Sequence, residues 1–167
     1  MANMKELFIV RHAKSSWDIE NISDIDRSLK LRGIRDAYEM ARRLKIARQV
    51  PDFFLSSQAD RAMHTATIFI RIFELPFSRL SLDERLYGAS VSDILEAISD
   101  QDNSVNKLMI FGHNPDFSEL TRGFAKSGAY ELPTCGLVIF TFNCQKWNEI
   151  SRDVQIDEFY DFPKKGI

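Results

Sequence analysis

Three short apolar runs in this chain break off at chemically loaded residues. Leu7-Phe8-Ile9-Val10 stops at Arg11-His12, Phe53-Phe54-Leu55 at Ser56-Ser57, and Leu108-Met109-Ile110-Phe111 at Gly112-His113. Continuous apolar runs of this length read as strands buried on both faces. Between the first two, Ile34, Ala37, Tyr38, Ala41 and Leu44 recur at helical spacing, which predicts a helix over about 32–48 that stops before Pro51. A second helix is predicted over about 59–73, closed by Pro76. Strands alternating with helices argue for an α/β fold, a three-layer α/β/α sandwich around a mainly parallel sheet. Parallel strands would bring the three loaded ends to one edge, and ligands of open α/β sheets bind outside the carboxyl ends of the strands.

The rest of the chain reads less sharply. Residues 12–30 form a polar loop with Asp18, Asp24 and Asp26. A strand is expected over 79–82, and a helix from Ser92 as N-cap through Ile98. Pro115 suits the first turn of a helix. Leu137 to Phe142 reads as a strand, Trp147 to about Ile156 as its hairpin partner, and the residues from Asp157 as an irregular tail. The 167 residues fit a single domain, 1–167, with no repeat or linker.

Composition narrows the function classes. A net charge of −2 without a long basic run argues against nucleic acid or a membrane surface as partner, so any positive site must be local. Met1-Ala2-Asn3-Met4-Lys5 leads straight into the first strand, which predicts no signal peptide, and no run reaches transmembrane length. Cys135 and Cys144 have no further Cys or nearby His to complete a metal or disulfide set. A reduced, cytoplasmic protein with both cysteines as packing residues is the expectation.

The loaded ends suit phosphoryl transfer, where catalysis is mainly positioning and electrostatic stabilisation. Arg11 and Arg61 can each offer a planar fork to phosphate oxygens. His113 adds another donor, protonated under the influence of a dianionic ligand. His12 takes the other role. A neutral imidazole with one nitrogen bonded to a carbonyl presents the other as a nucleophile, and nearby arginines disfavour its protonation. The product is a phosphohistidine that water hydrolyses, with no metal and no cofactor required. Each residue alone is more often structural than catalytic; the grouping carries the argument. His64, one turn after Arg61, is expected to be peripheral. A metal site on His12 and His113 lacks a carboxylate at ligand spacing.

These segments resemble the histidine phosphatase superfamily, which includes the cofactor-dependent phosphoglycerate mutases, and within it the SixA-like phosphohistidine phosphatases. Leu7 to Ser15 is similar to the family's Arg-His signature, and Asp26-Arg27-Ser28-Leu29 with Arg32-Gly33 to an Asp-Arg-Pro-Leu…Arg-Gly segment. Ser56 to Ala66 resembles Ser-Ser-Pro…Arg-Ala…Thr-Ala, and Gly112-His113-Asn114-Pro115 the second-histidine motif. Leu86 to Ser90 and Leu132 to Gly136 agree more loosely. The resemblance implies a phosphoglycerate mutase-like fold, His12 as phosphate acceptor, and Arg11, Arg61 and His113 around the phosphate. It also implies Arg27 as a further phosphate or substrate contact. Lys14, Ser15 and Asn114 adjoin the motifs and are expected to face substrate. Ala13 stands where much of the family has Gly, and Gln58 and Ser28 where it has Pro.

No general acid is evident; Glu84 is a candidate by rough position only. A phosphohistidine substrate tolerates that lack, because its leaving imidazole can be protonated by solvent. The expected activity is therefore removal of phosphate from phosphohistidine on a protein. The alternatives are a small-molecule phosphomonoesterase and a non-catalytic module that binds phosphate or a phosphorylated protein.

Overall fold

A computed structural model, describing residues 4–88, 90–128 and 130–164, sets six strands in one sheet. They are β1 (Lys5–Arg11), β2 (Phe53–Ser56), β3 (Leu80–Leu82), β4 (Lys107–Gly112), β5 (Leu137–Phe142) and β6 (Gln155–Asp161). Their order is β3-β2-β4-β1-β5-β6. The first four of that row are mutually parallel, while β5 runs antiparallel to β1 and β6 antiparallel to β5. The N-terminal residues read for a signal peptide, and Ala89 of the Leu86–Ser90 segment, fall partly or wholly outside the described residues. Among the described residues no helix is long and apolar enough to cross a membrane.

Side chains alternate across a strand, and here each face meets its own pair of helices. Phe8, Val10, Phe54, Met109 and Phe111 pack with helices α1 (Leu31–Ile46) and α2 (Asp60–Phe73). Leu7, Ile9, Leu55, Leu108 and Ile110 pack with α3 (Val91–Ser99) and α4 (Asp116–Phe124). This double burial explains why the central strands read as continuous apolar runs. Gly33 sits in the first turn of α1 where a Cβ would lie 2.2 Å from the Lys14 carbonyl oxygen. Its missing side chain lets α1 press against the segment that leaves β1.

Two expected elements are corrected. The cap of α3 is Ser90, not Ser92: Ser90 Oγ accepts from the Asp93 N–H and the Asp93 carboxylate accepts from the Ser90 N–H, a capping box. The hairpin partner of β5 does not begin at Trp147: residues 147–154 hold two short 3-10 turns, Trp147–Glu149 and Arg152–Val154, and only Gln155 and Ile156 of the expected partner are strand. The strand is β6, and it takes up residues from Asp157 that read as a tail. Its Asp157, Glu158 and Asp161 obscure the strand pattern because an edge strand tolerates charge.

Candidate active site

The carboxyl ends of β2, β4 and β1 lie side by side because these strands are parallel neighbours. Arg11 is in register with Gly112, so His12 and His113 emerge together, their rings 5.2 Å apart. The ladder runs one step past the strands: His12 N–H donates to Gly112 O and Ser57 N–H to Phe111 O, both at 3.0 Å. Arg61 arrives on the first turn of α2. One turn later the Thr65 hydroxyl donates to the Arg61 carbonyl at 2.7 Å and accepts from the Ala13 N–H at 3.0 Å. That pair of bonds holds α2 against the turn that carries His12. Ala13 is fully buried and has no positive φ, so its Cβ is accommodated. Arg27 is carried back to the site by a bridge between Ser15 and Leu29 and by Ser16 N–H donating to Ser28 O at 2.8 Å.

The result is a cavity of about 240 Å³. Arg11, His12, Arg61 and His113 line it, as do Arg27, Lys14, Ser15 and Asn114. Trp17 and Thr134 line it too; Thr134 belongs to the loosely matching Leu132 to Gly136 segment, while nothing in the local sequence marks Trp17. His64 is not among the lining residues. Ser15 and Asn114 are already engaged by the protein. Ser15 Oγ accepts from Arg27 Nη2, while Asn114 donates to Leu132 O at 2.9 Å and accepts from Ser118 Oγ at 2.8 Å. Lys14 is exposed.

The two imidazoles are held differently. His12 Nδ1 lies 2.7 Å from Ala13 O, which makes it the donor nitrogen of a neutral ring. Burial above all pushes the His12 pKa down to about 3; the Ala13 carbonyl opposes this, and His113, Arg61 and Arg11 add to the lowering. His113 Nε2 lies 2.7 Å from Ser57 Oγ, and burial, aided by Arg61, lowers its pKa to about 4. His113 is therefore neutral at pH 7 before any dianion arrives.

Four buried side-chain polar atoms lack a partner among the described residues, and three belong to this cavity: Arg11 Nε, Arg61 Nε and His113 Nδ1. Unsatisfied buried donors are costly, and three around one imidazole make a site for an anion rich in acceptors. A cleft of similar volume, 230 Å³, lies beside α1, β5 and β6. It gathers Glu6, Asp157 and Asp161 around a single Arg43, a charge balance that disfavours phosphate.

A carboxylate of the 12–30 loop, given no role in the sequence reading, organises the cations. Asp24 lies in a 3-10 turn, Asp24–Asp26. Its side chain accepts from Arg61 Nη2 at 2.9 Å, Arg27 Nη1 at 2.8 Å and the Tyr87 hydroxyl at 2.8 Å. Its carbonyl also accepts from Arg61 Nη1 at 2.6 Å. Burial acts against ionisation, yet the bonds from Tyr87, Arg61 and Arg27 hold the carboxyl well below the usual range. Glu84, by contrast, is exposed in the turn Glu84–Leu86 and does not line the cavity. Among the described residues no three His, Cys, Asp or Glu side chains are grouped as metal ligands. Both cysteines are buried and unbridged.

Buried cations around a neutral imidazole, at the carboxyl edge of a parallel sheet, make this an α/β protein with a candidate anion site. Residues 7–113 match the histidine phosphatase superfamily, branch 1, and the chain belongs to that family. An uncharacterised protein of Mycobacterium tuberculosis strain H37Rv is 33% identical over 117 residues, 66% of this chain and 66% of that protein. The chain thus matches just under two thirds of that relative's length. A SixA-type protein of Agrobacterium tumefaciens, assigned as a phosphohistidine phosphatase, has a TM-score of 0.74 at 26% identity, covering 93% of this chain and 97% of that one. The protein histidine phosphatase SixA complexed with tungstate has a TM-score of 0.78 at 19% identity, covering 95% and 97%. The fold is that of the phosphoglycerate mutase-like SixA structures.

The buried histidines predict a pH dependence of stability. Both pKa values lie below the unfolded value of about 6.5, so in the acid range the unfolded chain binds more protons. Stability is complete above about pH 6.5 and falls as the pH drops toward the lowered values, by up to about 1.4 kcal/mol per pH unit for each histidine. Asp24 adds a loss in the same direction below about pH 4. Melting temperature measured from pH 7.5 down to 5 should fall, and fall less in a His12→Asn/His113→Asn double variant. An equal slope in that variant would contradict the burial argument.

Proposed function

We propose that this chain is a phosphatase that moves a phosphoryl group first to His12 and then to water, with phosphohistidine on a protein as its favoured substrate. The observation that carries this reading is the 2.7 Å contact of His12 Nδ1 with Ala13 O. A ring that donates there keeps its Nε2 lone pair for phosphorus. In the first step His12 Nε2 forms a bond to phosphorus, and the bond from phosphorus to the leaving group breaks with its electron pair on that group. In the second step water attacks the phosphoryl group, its proton passes to solvent, and orthophosphate leaves while Nε2 recovers its lone pair.

Arg11 and Arg61 meet the peripheral oxygens, supplying the positive charge that phosphoryl transfer needs. Ser57 Oγ accepts from the Ala59 N–H at 3.1 Å and lies 2.7 Å from His113 Nε2, and in our reading the hydroxyl gives its proton to that nitrogen. That leaves the ring hydrogen on Nδ1, the partnerless atom, as a further donor to phosphate. His113 thus needs no added proton to serve, and an arriving dianion raises its pKa further toward the charged form.

The state of the carboxylates supports the substrate class. Asp24 is held ionised by its donors and Glu84 lies off the cavity, so neither offers a proton to a leaving alkoxide. General acid catalysis is worth about 10²–10⁴ in rate, and a substrate whose leaving group takes its proton from water does without it. Imidazole, with a pKa of about 6.5, is such a group. The SixA-type neighbour assigned as a phosphohistidine phosphatase points the same way.

The test compares kcat/KM, without added metal, for a phosphohistidine-bearing protein and a sugar phosphate. The former should exceed the latter by about 10² or more, and Glu84→Gln should leave both within a few-fold. Equal or faster turnover of the sugar phosphate sinks the substrate assignment. A large loss in Glu84→Gln would favour a small-molecule phosphomonoesterase using that acid.

A further inference from the structure

We propose that Trp17 is a stacking platform at the mouth of this cavity, selecting phosphoryl groups carried on a planar aromatic ring over those carried on an alkyl chain. The proposal rests on the phosphatase reading for what is turned over, but its binding preference stands apart from turnover.

Trp17 lines the cavity and is 72% exposed, whereas Trp147 is fully buried. Exposing so large an aromatic surface gains little folding energy. It packs on Arg27, whose guanidinium carbon lies 3.3 Å from the indole centroid, a face-on contact. Arg27 is itself immobile. It is only 8% exposed and donates to Ser15 Oγ, Ser16 O and Asp24 Oδ1. The indole therefore rests on the Arg27 guanidinium and leaves most of its surface to solvent at the rim of the cavity.

A phosphoryl group held by Arg11, Arg61 and His113 must direct its substituent outward, past this rim. A planar ring there can lie against the exposed indole surface, burying apolar area on both and gaining the offset stacking energy of aromatic pairs. An alkyl substituent has no matching face. The same contact would also explain why the platform is backed by a rigid guanidinium: an immobile surface costs little entropy to engage. The substrate class this favours is an N- or O-phosphorylated aromatic ring, of which the phosphorylated imidazole is one.

Phenylphosphonate and methylphosphonate test the idea, since both present a non-hydrolysable phosphonate and differ in the ring. Calorimetric titration of the unmodified protein should show phenylphosphonate bound about 3- to 10-fold more tightly. Trp17→Ala should remove that ratio, and Trp17→Phe should retain most of it. Two results would overturn the proposal: no preference in the unmodified protein, or an equal loss for both ligands in Trp17→Ala. The second would mean that Trp17 only steadies Arg27. Because neither ligand turns over, a retained preference in a protein that hydrolyses no phosphate would refute the phosphatase reading and leave the stacking site standing.

Discussion

Replacing His12 with alanine is expected to lower phosphate release from an aryl phosphate by at least about 10⁴-fold, without added metal in either assay. An aryl leaving group needs little acid assistance, so the assay isolates the nucleophile and the cations. The size of the effect follows from the loss of the nucleophile proposed for the first step. The backbone around His12 should persist, because its N–H bond to Gly112 O and the Thr65 bond to Ala13 do not involve the ring. Binding of orthophosphate should therefore survive where turnover does not. A His12→Ala protein within a few-fold of the unmodified rate would remove the phosphohistidine mechanism.

Arg61→Ala is expected to cost about 10² or more in the same assay, as for loss of one preorganised donor at a charged transition state. Arg61→Lys should recover little of it. The guanidinium holds Asp24 with both terminal nitrogens and keeps Nε for the cavity, and a single ammonium cannot occupy both places. Arg11→Ala should lose rate on the same scale. It is fastened elsewhere, through Nη1 to Leu132 O at 2.9 Å, so the two arginines act from independent anchors. Rates near the unmodified value for both variants would contradict the proposed phosphate site.

The strand ends that carry the chemistry were legible because burial and position coincide there. Leu7–Val10 and Leu108–Phe111 are apolar throughout since helices cover both sheet faces, and each run stops where the chain leaves the core. Arg61 was legible near the start of a predicted helix. Edge elements were not: β6 carries Asp157, Glu158 and Asp161, and the cap of α3 sits two residues before the serine that looked suited to it. The neighbouring arginines lower the His12 pKa as expected, and burial, which the sequence does not display, lowers it more.

Local patterning thus settled the central strands and the helices around them, the parallel arrangement that gathers the loaded ends, and the identity of His12, Arg11, Arg61 and His113 as candidates. These follow from periodicity and from residue chemistry, which any short window of sequence displays. The tertiary structure alone decided that Asp24, 37 residues from Arg61, ties together Arg61, Arg27 and Tyr87. It also decided that Glu84 is not among the residues lining the cavity and that Trp17 stands at its mouth on Arg27. Those placements depend on the path of an aperiodic loop across the sheet edge. Such a path is set by contacts between distant segments and leaves no repeating mark in the residues themselves.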